Sequence, residues 1–333
     1  MSLDSLTLMQ QRAVGRTGLR VSRLGLGTMT WGRDTDEHEA RDQLSAYVEA
    51  GGTLIDTADV YGEGASERLV GSLLGDVVDR DDVVLATKAV STGRPGRRRD
   101  ASRRHLLDAL DRSLRRLGTD HVDLWQLHTW DELTPLEETL AACDDAVRSG
   151  RAHYVGVSNY AGWQTARAWA WQAAVAGRAP LVSTQVEYSL LQRGVEREVV
   201  PACVELGIGL LAWSPLGRGV LTGKYRTGIP ADSRGASPHF GGFVEPYLTA
   251  SSTRIVTAVA TAAEGLGVSP LEIALAWVRD RPGVTAAIVG ARTAAQLRGS
   301  LQVEDLELPE EIRTALDEVS APDLGYPETW PAR

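Results

Sequence analysis

Short apolar runs alternate with longer amphipathic stretches along most of this chain of 333 residues. A short apolar run favours a buried strand, whereas apolar positions spaced by three and four favour a helix. The runs lie at residues 23–27, 53–56, 83–88, 122–128, 154–158, 182–187, 209–213 and 286–289. A helix-length segment separates each run from the next. This alternation predicts an α/β fold, specifically a parallel (β/α)8 TIM barrel.

Three features are added to the plain repeat. Residues 12–21 predict an N-terminal β-hairpin, and residues 309–319 predict an extra C-terminal helix after the eighth unit. Residues 214–253 are rich in Gly, Pro and Ser, and within them residues 232–249 predict either a mobile lid or a disordered loop. We therefore expect one barrel domain over residues 12–325, a flexible N-terminus at 1–11 and a C-terminal tail at 326–333.

Composition and charge narrow the possible partners. The formal net charge is -9 and the pI is near 5.3, so neither nucleic acid nor an anionic membrane is an expected partner. No apolar stretch approaches the roughly 20 residues of a membrane span, and the N-terminus lacks the apolar run of a signal peptide. Cys143 and Cys203 lack the spacing of metal ligands or of a disulfide framework. We expect a soluble cytoplasmic protein without a metal, and the oligomeric state stays open.

Ionisable side chains end several of the predicted strands. The active site of a parallel barrel is built at the carboxyl ends of its strands. Asp56, Lys88 and His128 each end a run, and Tyr61 follows Asp56 by five residues. An unpaired ammonium in an apolar strand is costly, so Lys88 needs Asp56 as a counter-ion. Each group alone has a structural explanation, as an ion pair or a satisfied core histidine, but four at one rim indicate catalysis.

These four side chains fit the reduction of a carbonyl group. Hydride arriving at the carbonyl carbon leaves an alkoxide that needs a proton. A tyrosine with its ordinary pKa of about 10 donates slowly at neutral pH, and a nearby ammonium lowers that pKa. We predict that Tyr61 donates the proton while Lys88, held by Asp56, lowers its pKa. Neutral His128 is predicted to orient and polarise the carbonyl, and a bound cofactor must supply the redox equivalent.

Five segments taken together resemble the aldo-keto reductase family, over about residues 14–301. The resemblance implies a barrel plugged at its lower end by the N-terminal hairpin, the catalytic tetrad named above, and NADP(H) extended across the barrel mouth. The segments are Gly25-Leu26-Gly27-Thr28-Met29, Asp56-Thr57-Ala58-Asp59-Val60-Tyr61-Gly62, Leu124-Trp125-Gln126-Leu127-His128, Gly156-Val157-Ser158-Asn159-Tyr160 and Trp213-Ser214-Pro215-Leu216-Gly217-Arg218-Gly219-Val220-Leu221-Thr222-Gly223-Lys224-Tyr225.

The resemblance also implies where the cofactor binds. The chain has no Gly-x-Gly-x-x-Gly after a strand, which argues against a Rossmann site. Ser158, Asn159 and Gln185 are implied to bond the nicotinamide carboxamide, with Trp213 stacked on the ring. The following loop is implied to wrap the pyrophosphate, where glycines permit close approach of the backbone. The remaining positions implied in this part of the site are Gly27, Thr28, Met29, Asp56, Ser214, Pro215, Leu216, Gly217, Gly219, Lys224 and Gly290.

The adenosine end of the cofactor is implied to lie farther along the chain. The loop that ends at Arg234 resembles the potassium-channel beta-subunit branch of the family, in which the matching arginine reaches the adenosine end. Arg292 precedes a helix that carries Gln296, and a helix N-terminus beside an arginine suits a ribose 2′-phosphate, so NADPH is predicted over NADH. The family usually has Glu and Asn where this chain has Gly299 and Ser300, so weaker contacts with adenine are expected.

The substrate is predicted to be a small-molecule carbonyl compound, an aldehyde or a ketone. Trp31, Tyr61, His128 and Trp130 follow strand ends and are predicted to line its pocket. Two other functions remain possible. The first is an NADP-binding regulatory subunit with little turnover, although the channel beta-subunit branch carries asparagine at the position of His128. The second is a barrel lyase with Lys88 as a Schiff-base lysine, which leaves the pyrophosphate-wrapping loop without a role.

Overall fold

A closed barrel of eight parallel strands forms the centre of the computed structural model, which describes residues 8–231, 233–323 and 325–326. The strands follow one another around the barrel in chain order, and the last one pairs with the first. The predicted (β/α)8 barrel is therefore confirmed. Its strands are β3 (Leu24–Gly27), β4 (Leu54–Asp56), β5 (Val84–Ala89), β6 (Val122–Leu127), β7 (Ala152–Ser158), β8 (Leu181–Glu187), β9 (Gly209–Trp213) and β10 (Val284–Val289).

Helices surround the barrel and bury their apolar faces against the outer side of the sheet. The predicted helix ends agree with local chemistry. Ser102 accepts a hydrogen bond from the backbone of His105 at the start of α3, and Gly118 ends that helix with φ at 67°. The helices are α1 (Glu37–Glu49), α2 (Ala65–Leu73), α3 (Arg103–Leu117), α4 (Leu136–Arg148), α5 (Gly162–Ala173), α6 (Val199–Leu206), α7 (Gly241–Val244), α8 (Ala250–Leu266), α9 (Pro270–Arg279), α10 (Ala294–Leu301) and α11 (Glu310–Val319).

The N-terminal hairpin closes one end of the barrel. Its strands, β1 (Gln11–Ala13) and β2 (Arg20–Ser22), pair antiparallel. Val14 and Val21 are fully buried and join a second apolar cluster that includes inward-facing residues of the barrel strands. The hairpin thus confirms the predicted plug, and it leaves the opposite end of the barrel, at the carboxyl ends of the strands, for a ligand.

The segment predicted as a lid or a disordered loop contains ordered turns and a short helix. Within residues 233–249, a turn at Arg234–Ala236 precedes α7, and a second turn at Glu245–Tyr247 precedes α8. Asp232 lies outside the described residues. The described part of the segment is therefore structured, and it packs beside the barrel mouth through Phe243.

The two ends of the chain are described only in part. Residues 1–7 and 327–333, with Leu324, lie outside the described residues, so most of the predicted flexible N-terminus and tail lies there too. Met9, at the start of the described residues, is buried and its backbone donates to the carbonyl of Ala50. The predicted C-terminal helix is α11, which packs against α8. Within the described part of the chain, no single helix is long and apolar enough to cross a membrane, and only the pair α8 and α9, bent by 102°, passes when taken together.

Candidate active site

Adjacent strands bring the four predicted catalytic residues to one end of the barrel. Asp56 ends β4, Lys88 is the penultimate residue of β5, and His128 follows β6 directly. The strand register pairs Asp56 with Ala86 and Lys88 with Gln126, so the carboxyl ends of these strands are level with one another. Tyr61 begins a tight turn after β4 that returns its side chain over the barrel. The sequence prediction that these four groups share one rim matches this placement.

The ammonium of Lys88 lies at the centre of a buried hydrogen-bond network. Its Nζ donates to Oδ2 of Asp56 at 2.6 Å, to the carbonyl of Thr57 at 2.9 Å and to the phenol oxygen of Tyr61 at 3.4 Å. The Lys88 side chain is 1% exposed and that of Asp56 is 3% exposed. Because a buried charge must be compensated, these contacts keep the ammonium in one orientation, pointing at the phenol.

Asp56 is held from the other side by two amides. Its Oδ1 accepts from Nε2 of Gln185 at 2.8 Å and from Nε2 of Gln126 at 3.4 Å, while its Oδ2 receives Lys88. Both oxygens are therefore occupied by donors, which stabilises the carboxylate. Gln126 was not singled out from the sequence. Its inward position in β6, two residues before His128, is the signal that would have found it.

The pKa values of Tyr61 and Lys88 are both raised from their ordinary values. Burial is the main cause for Tyr61; Lys88 acts in the opposite direction, and Asp56 adds to the rise. The predicted net lowering of the Tyr61 pKa is therefore wrong for the free protein, because burial outweighs the ammonium. For Lys88, burial opposes the charge, but Asp56 and Tyr61 outweigh it and the pKa is raised. At neutral pH both groups carry their protons.

His128 is neutral in this environment. Burial, with a further contribution from Lys88, lowers its pKa to about 3. Its ring meets that of Tyr61 edge to face, with ring centres 5.9 Å apart. The Nδ1 atom is buried and has no hydrogen-bond partner among the described residues. A neutral imidazole beside a protonated phenol offers two polar groups to an oxygen atom that enters the cavity.

A cavity of about 490 Å³ opens at this end of the barrel and extends along the loops that follow β9 and β10. Almost all of the predicted cofactor positions line it. Among the predicted catalytic and cofactor-binding residues, three do not: Lys88 lies beneath the floor, Gly217 is buried in its turn, and Thr28 is fully buried and donates to the backbone of Asp56. The predicted residues that line it are Gly27, Met29, Asp56, Tyr61, His128, Ser158, Asn159, Gln185, Trp213, Ser214, Pro215, Leu216, Gly219, Lys224, Arg234, Gly290, Arg292, Gln296 and Ser300.

One part of the cavity fits a flat ring that carries an amide. Trp213 has its indole Nε1 3.1 Å from Oδ1 of Asn159, so the indole plane is fixed. Asn159 also donates to the backbone of His128 at 3.0 Å and to Oγ of Ser158 at 3.1 Å, with a left-handed backbone at φ of 55°. Together with Gln185, these groups present amide and hydroxyl hydrogen-bonding partners around a flat aromatic surface.

A turn that could hold a pyrophosphate lines the middle of the cavity. Residues Gly217–Thr222 form this turn, in which Gly219 has φ at 91°. Space beside Gly219 is limited by Lys224, whose Nζ would lie 3.3 Å from a Cβ atom at that position. Glycine backbone next to an ammonium is a favourable site for phosphate oxygens. The residues present therefore fit the middle of a dinucleotide.

Two arginines converge at the far part of the cavity. The pKa of Arg234 is lowered by burial and by the nearby charge of Arg292. The backbone of Arg292 donates to Gln296 at 3.0 Å, just before the start of α10, where Thr293 caps the helix. Two mutually repelling cations beside a helix N-terminus favour an anionic ligand group. Ser300 also lines the cavity, so the residues predicted for the adenosine end line the same cavity as the catalytic residues.

Arg218 and Phe243, which were not predicted from the sequence, connect residues 233–249 to the barrel. We call residues 233–249 the lid segment. Arg218 pairs with both carboxylate oxygens of Glu187, at 2.8 and 2.7 Å, and also donates to the carbonyl of Phe243. The guanidinium lies 3.7 Å from the ring centre of Phe243, whose ring is nearly parallel to that of Trp213. The lid therefore contacts the residue implied to stack on the nicotinamide.

The predicted substrate residues divide into two groups. Tyr61 and His128 line the cavity, but Trp31 does not: it is fully buried and its indole donates to Gln43 of α1 at 3.0 Å. The prediction for Trp31 was wrong because the chain after β3 turns inward against α1. Trp130 is partly buried and lies outside the cavity wall, and its ring packs edge to face against Tyr160 and Trp163.

The barrel, the tetrad and the cavity at the strand ends define a class of protein. The sequence profile of the aldo/keto reductase family matches residues 23–321. This chain belongs to that family of oxidoreductases, as the resemblance predicted.

Several relatives are similar over nearly their whole length. The uncharacterized oxidoreductase YrpG of Bacillus subtilis is 37% identical over 93% of this chain and 96% of its own length. A probable voltage-gated potassium channel subunit beta of Oryza sativa is 38% identical over 90% of this chain and 92% of the relative. The L-glyceraldehyde 3-phosphate reductase of Escherichia coli is 35% identical, covering 88% of this chain and 87% of the relative.

Proposed function

We propose that this protein is an NADPH-dependent reductase that converts an aldehyde or ketone to an alcohol, reversibly. The observation that carries the proposal is the contact, at 3.4 Å, between the protonated Tyr61 phenol on the cavity wall and the ammonium of Lys88 beneath the floor, next to a neutral His128. This set of groups supplies a proton and a hydrogen-bond donor, but no electrons, so the proposal requires a bound cofactor.

The cavity supports a cofactor in an extended arrangement. Asn159, Ser158 and Gln185 would bond the carboxamide and Trp213 would lie against the ring, which keeps the ring next to Tyr61 and His128. The turn around Gly219 would hold the pyrophosphate. When bound, a reduced nicotinamide supplies the hydride. NADPH is proposed over NADH because Arg234 and Arg292 place two positive charges where the ribose phosphate would lie.

The chain's own part in the reaction is proton transfer and orientation. The substrate oxygen would accept hydrogen bonds from the Tyr61 phenol and the His128 ring, whose centres lie 5.9 Å apart. As negative charge develops on that oxygen, Tyr61 gives up its proton. Lys88 then faces a tyrosinate, and the attraction between these charges stabilises the products of the transfer. Asp56, bonded to Gln185 and Lys88, keeps the ammonium in place.

A second candidate is a cofactor-binding regulatory subunit with little turnover. The similarity to the potassium channel subunit beta of Oryza sativa supports it. A regulatory subunit needs the bound dinucleotide but no proton donor, whereas a reductase needs both. The neutral imidazole of His128 beside Tyr61 favours the reductase.

A titration followed by a turnover assay separates these candidates. The nine tryptophans, including Trp213 on the cavity wall, allow binding of NADPH and of NADH to be followed by fluorescence. We expect NADPH to bind more tightly, and 4-nitrobenzaldehyde then to be reduced. Tight binding without turnover of several aldehydes supports the regulatory subunit, and no binding of either nucleotide contradicts both. Comparing Arg292→Ala with the exposed Arg298→Ala tests cofactor choice: only the first should weaken NADPH more than NADH.

A further inference from the structure

A second group of chemically active side chains lies at the opposite end of the barrel from the cavity. His121 precedes β6, Asp123 is the second residue of β6, and His153 is the second residue of β7. The first residues of these parallel strands, Val122 and Ala152, pair with each other, so the three side chains are neighbours despite their separation along the chain. The positions of these three residues in the sequence match no familiar spacing of metal ligands, which explains why no metal site was predicted.

The three side chains converge to the dimensions of an ion site. One ring nitrogen from each histidine and one oxygen of Asp123 all lie within 4.8 Å of one another. The imidazole rings of His121 and His153 are stacked, with centres 4.3 Å apart and planes at 28°. Nδ1 of His153 lies 3.6 Å from Oδ1 of Asp123. Two imidazoles and a carboxylate are a common set of zinc ligands.

The two carboxylate oxygens of Asp123 have different partners. Its Oδ2 accepts from the backbone of Leu85 and pairs with Arg80, both at 2.8 Å. That leaves Oδ1 on the side of His153. Asp120, at 2.7 Å from Nδ1 of His121, orients this ring and adds negative charge beside it. An outer carboxylate of this kind is typical of histidine ligands to zinc. The excess of carboxylate over arginine charge at this position favours a cation.

We propose that His121, Asp123 and His153 bind one divalent transition-metal ion, zinc in the first instance, with water in the fourth position. Ligand atoms around tetrahedral zinc lie about 3.3 Å apart, so the three groups must close by up to about 1.5 Å. The side chains of His121 and His153 are 24% and 50% exposed, which leaves room for this adjustment. Mixed nitrogen and oxygen ligands favour zinc over magnesium or calcium. The ion would tie β6 to β7 on the side away from the cavity and would stabilise the fold without entering the reaction.

Calorimetric titration of tag-free, chelator-treated protein with zinc tests this proposal. We expect one zinc ion per chain, and an affinity at least tenfold weaker in His121→Gln and in His153→Gln. His38→Gln, an exposed histidine of α1, is the matched control and should bind zinc as the wild type does. In parallel, zinc should raise the melting temperature of the wild type and of His38→Gln by more than that of either site variant, because stabilisation of the folded state grows with its affinity for the ion.

Three results would overturn the site. The first is no binding by the wild type up to roughly 1 mM zinc. The second is equal binding by the wild type and His153→Gln, because an ion held elsewhere does not need that ring. The third is equal weakening in His38→Gln and the site variants, which indicates non-specific binding by surface histidines. Since both site histidines are partly exposed and away from the cavity, loss of fold is excluded by comparing the melting temperatures of the zinc-free variants.

Discussion

The ammonium of Lys88 lies 3.4 Å from the phenol oxygen of Tyr61, below the floor of the cavity. Asp56 holds that ammonium at 2.6 Å, so Lys88 cannot turn away when the phenol changes its charge. In the free protein, burial keeps the pKa of Tyr61 above its ordinary value despite this contact. Tyr61 is therefore fully protonated before the reaction, and the ammonium of Lys88 stabilises the tyrosinate that forms when the proton is lost.

Tyr61→Phe should remove this donor while leaving the cavity almost unchanged. Loss of a positioned general acid typically lowers the rate by about 10²- to 10⁴-fold, and we expect kcat to fall in that range. The dissociation constant for NADPH should change by no more than about tenfold, since at most one hydrogen bond is removed. The measurements are steady-state turnover and fluorescence titration. Tyr160→Phe, a buried tyrosine beside Trp130, is the control, and turnover that survives in Tyr61→Phe would show that another group donates the proton.

A half-buried carboxyl group near Tyr61, that of Asp59, should make stability depend on pH. Desolvation, followed by repulsion from Glu67, raises the pKa of Asp59 to about 7, while Arg116 and Arg112 act against this rise. In the unfolded chain its pKa is near 3.9. Its contribution to stability is therefore full below pH 4 and is lost as the pH rises towards 7, by at most about 1.4 kcal/mol per pH unit.

Asp59→Asn should remove this dependence. The free energy of unfolding of the variant, relative to the wild type, should increase between pH 4 and pH 7 and stay constant above that. Urea unfolding at several pH values measures the difference, with the exposed Asp81→Asn as the control. A difference that does not vary with pH would mean that Asp59 is already ionised in the folded protein.

Strands and helices could be predicted from local pattern because each barrel unit repeats the same relation between apolar spacing and burial. Residues 209–213 were predicted as a strand and are β9 with the same limits. The tetrad could also be predicted, because strand ends in a closed parallel barrel meet at one rim whatever their separation in sequence. The prediction for Lys88 and Asp56 rested on the cost of a buried charge, and the structure pairs them.

Features that depend on loop paths could not be predicted in the same way. Trp31 follows a strand end, yet the turn after β3 directs it into α1, where Gln43 receives its indole NH. Arg218 lies in a glycine-rich segment, and only the folded path brings it to Glu187 and Phe243. The net pKa of Tyr61 was predicted with the wrong sign because its burial is a property of the whole assembly. Local spacing carries no information on any of these.

Loosening the lid should speed release of the cofactor. Arg218 links the turn after β9 to Glu187 of β8 and to Phe243 of α7, and Phe243 faces Trp213. Removing the Phe243 ring leaves the buried ion pair intact, so Phe243→Ala is the cleaner change. We expect NADPH to dissociate about tenfold faster, measured by stopped-flow tryptophan fluorescence. Loss of one well-packed aromatic contact of about 1.4 kcal/mol accounts for a change of this size.

Arg218→Ala should show the same faster release together with a lower melting temperature. Glu187 is left as an unpaired, largely buried carboxylate, and breaking such a pair costs about 3–5 kcal/mol. Arg226→Ala, an exposed arginine that follows the turn Gly217–Thr222, should alter neither property. If Phe243→Ala releases NADPH at the wild-type rate, the lid segment does not retain the cofactor and its order has another role.

The adenosine end of the site should be improved by restoring a side chain at Gly299. This glycine lies in α10 without a positive φ, and a Cβ atom at its position would have no neighbour within 4 Å, so Gly299→Glu fits without strain. Members of the family usually carry Glu there, and one added hydrogen bond to adenine is worth about 0.5–1.5 kcal/mol. NADPH should therefore bind about two- to tenfold more tightly.

Gly265→Glu in α8, also with open space around it, controls for the gain of about 1 kcal/mol from replacing a helical glycine. Both variants should melt at a higher temperature, but only Gly299→Glu should change the dissociation constant in a fluorescence titration. Weaker binding by Gly299→Glu would instead place the new carboxylate against the phosphates, and the adenine would then have to lie on another side of α10.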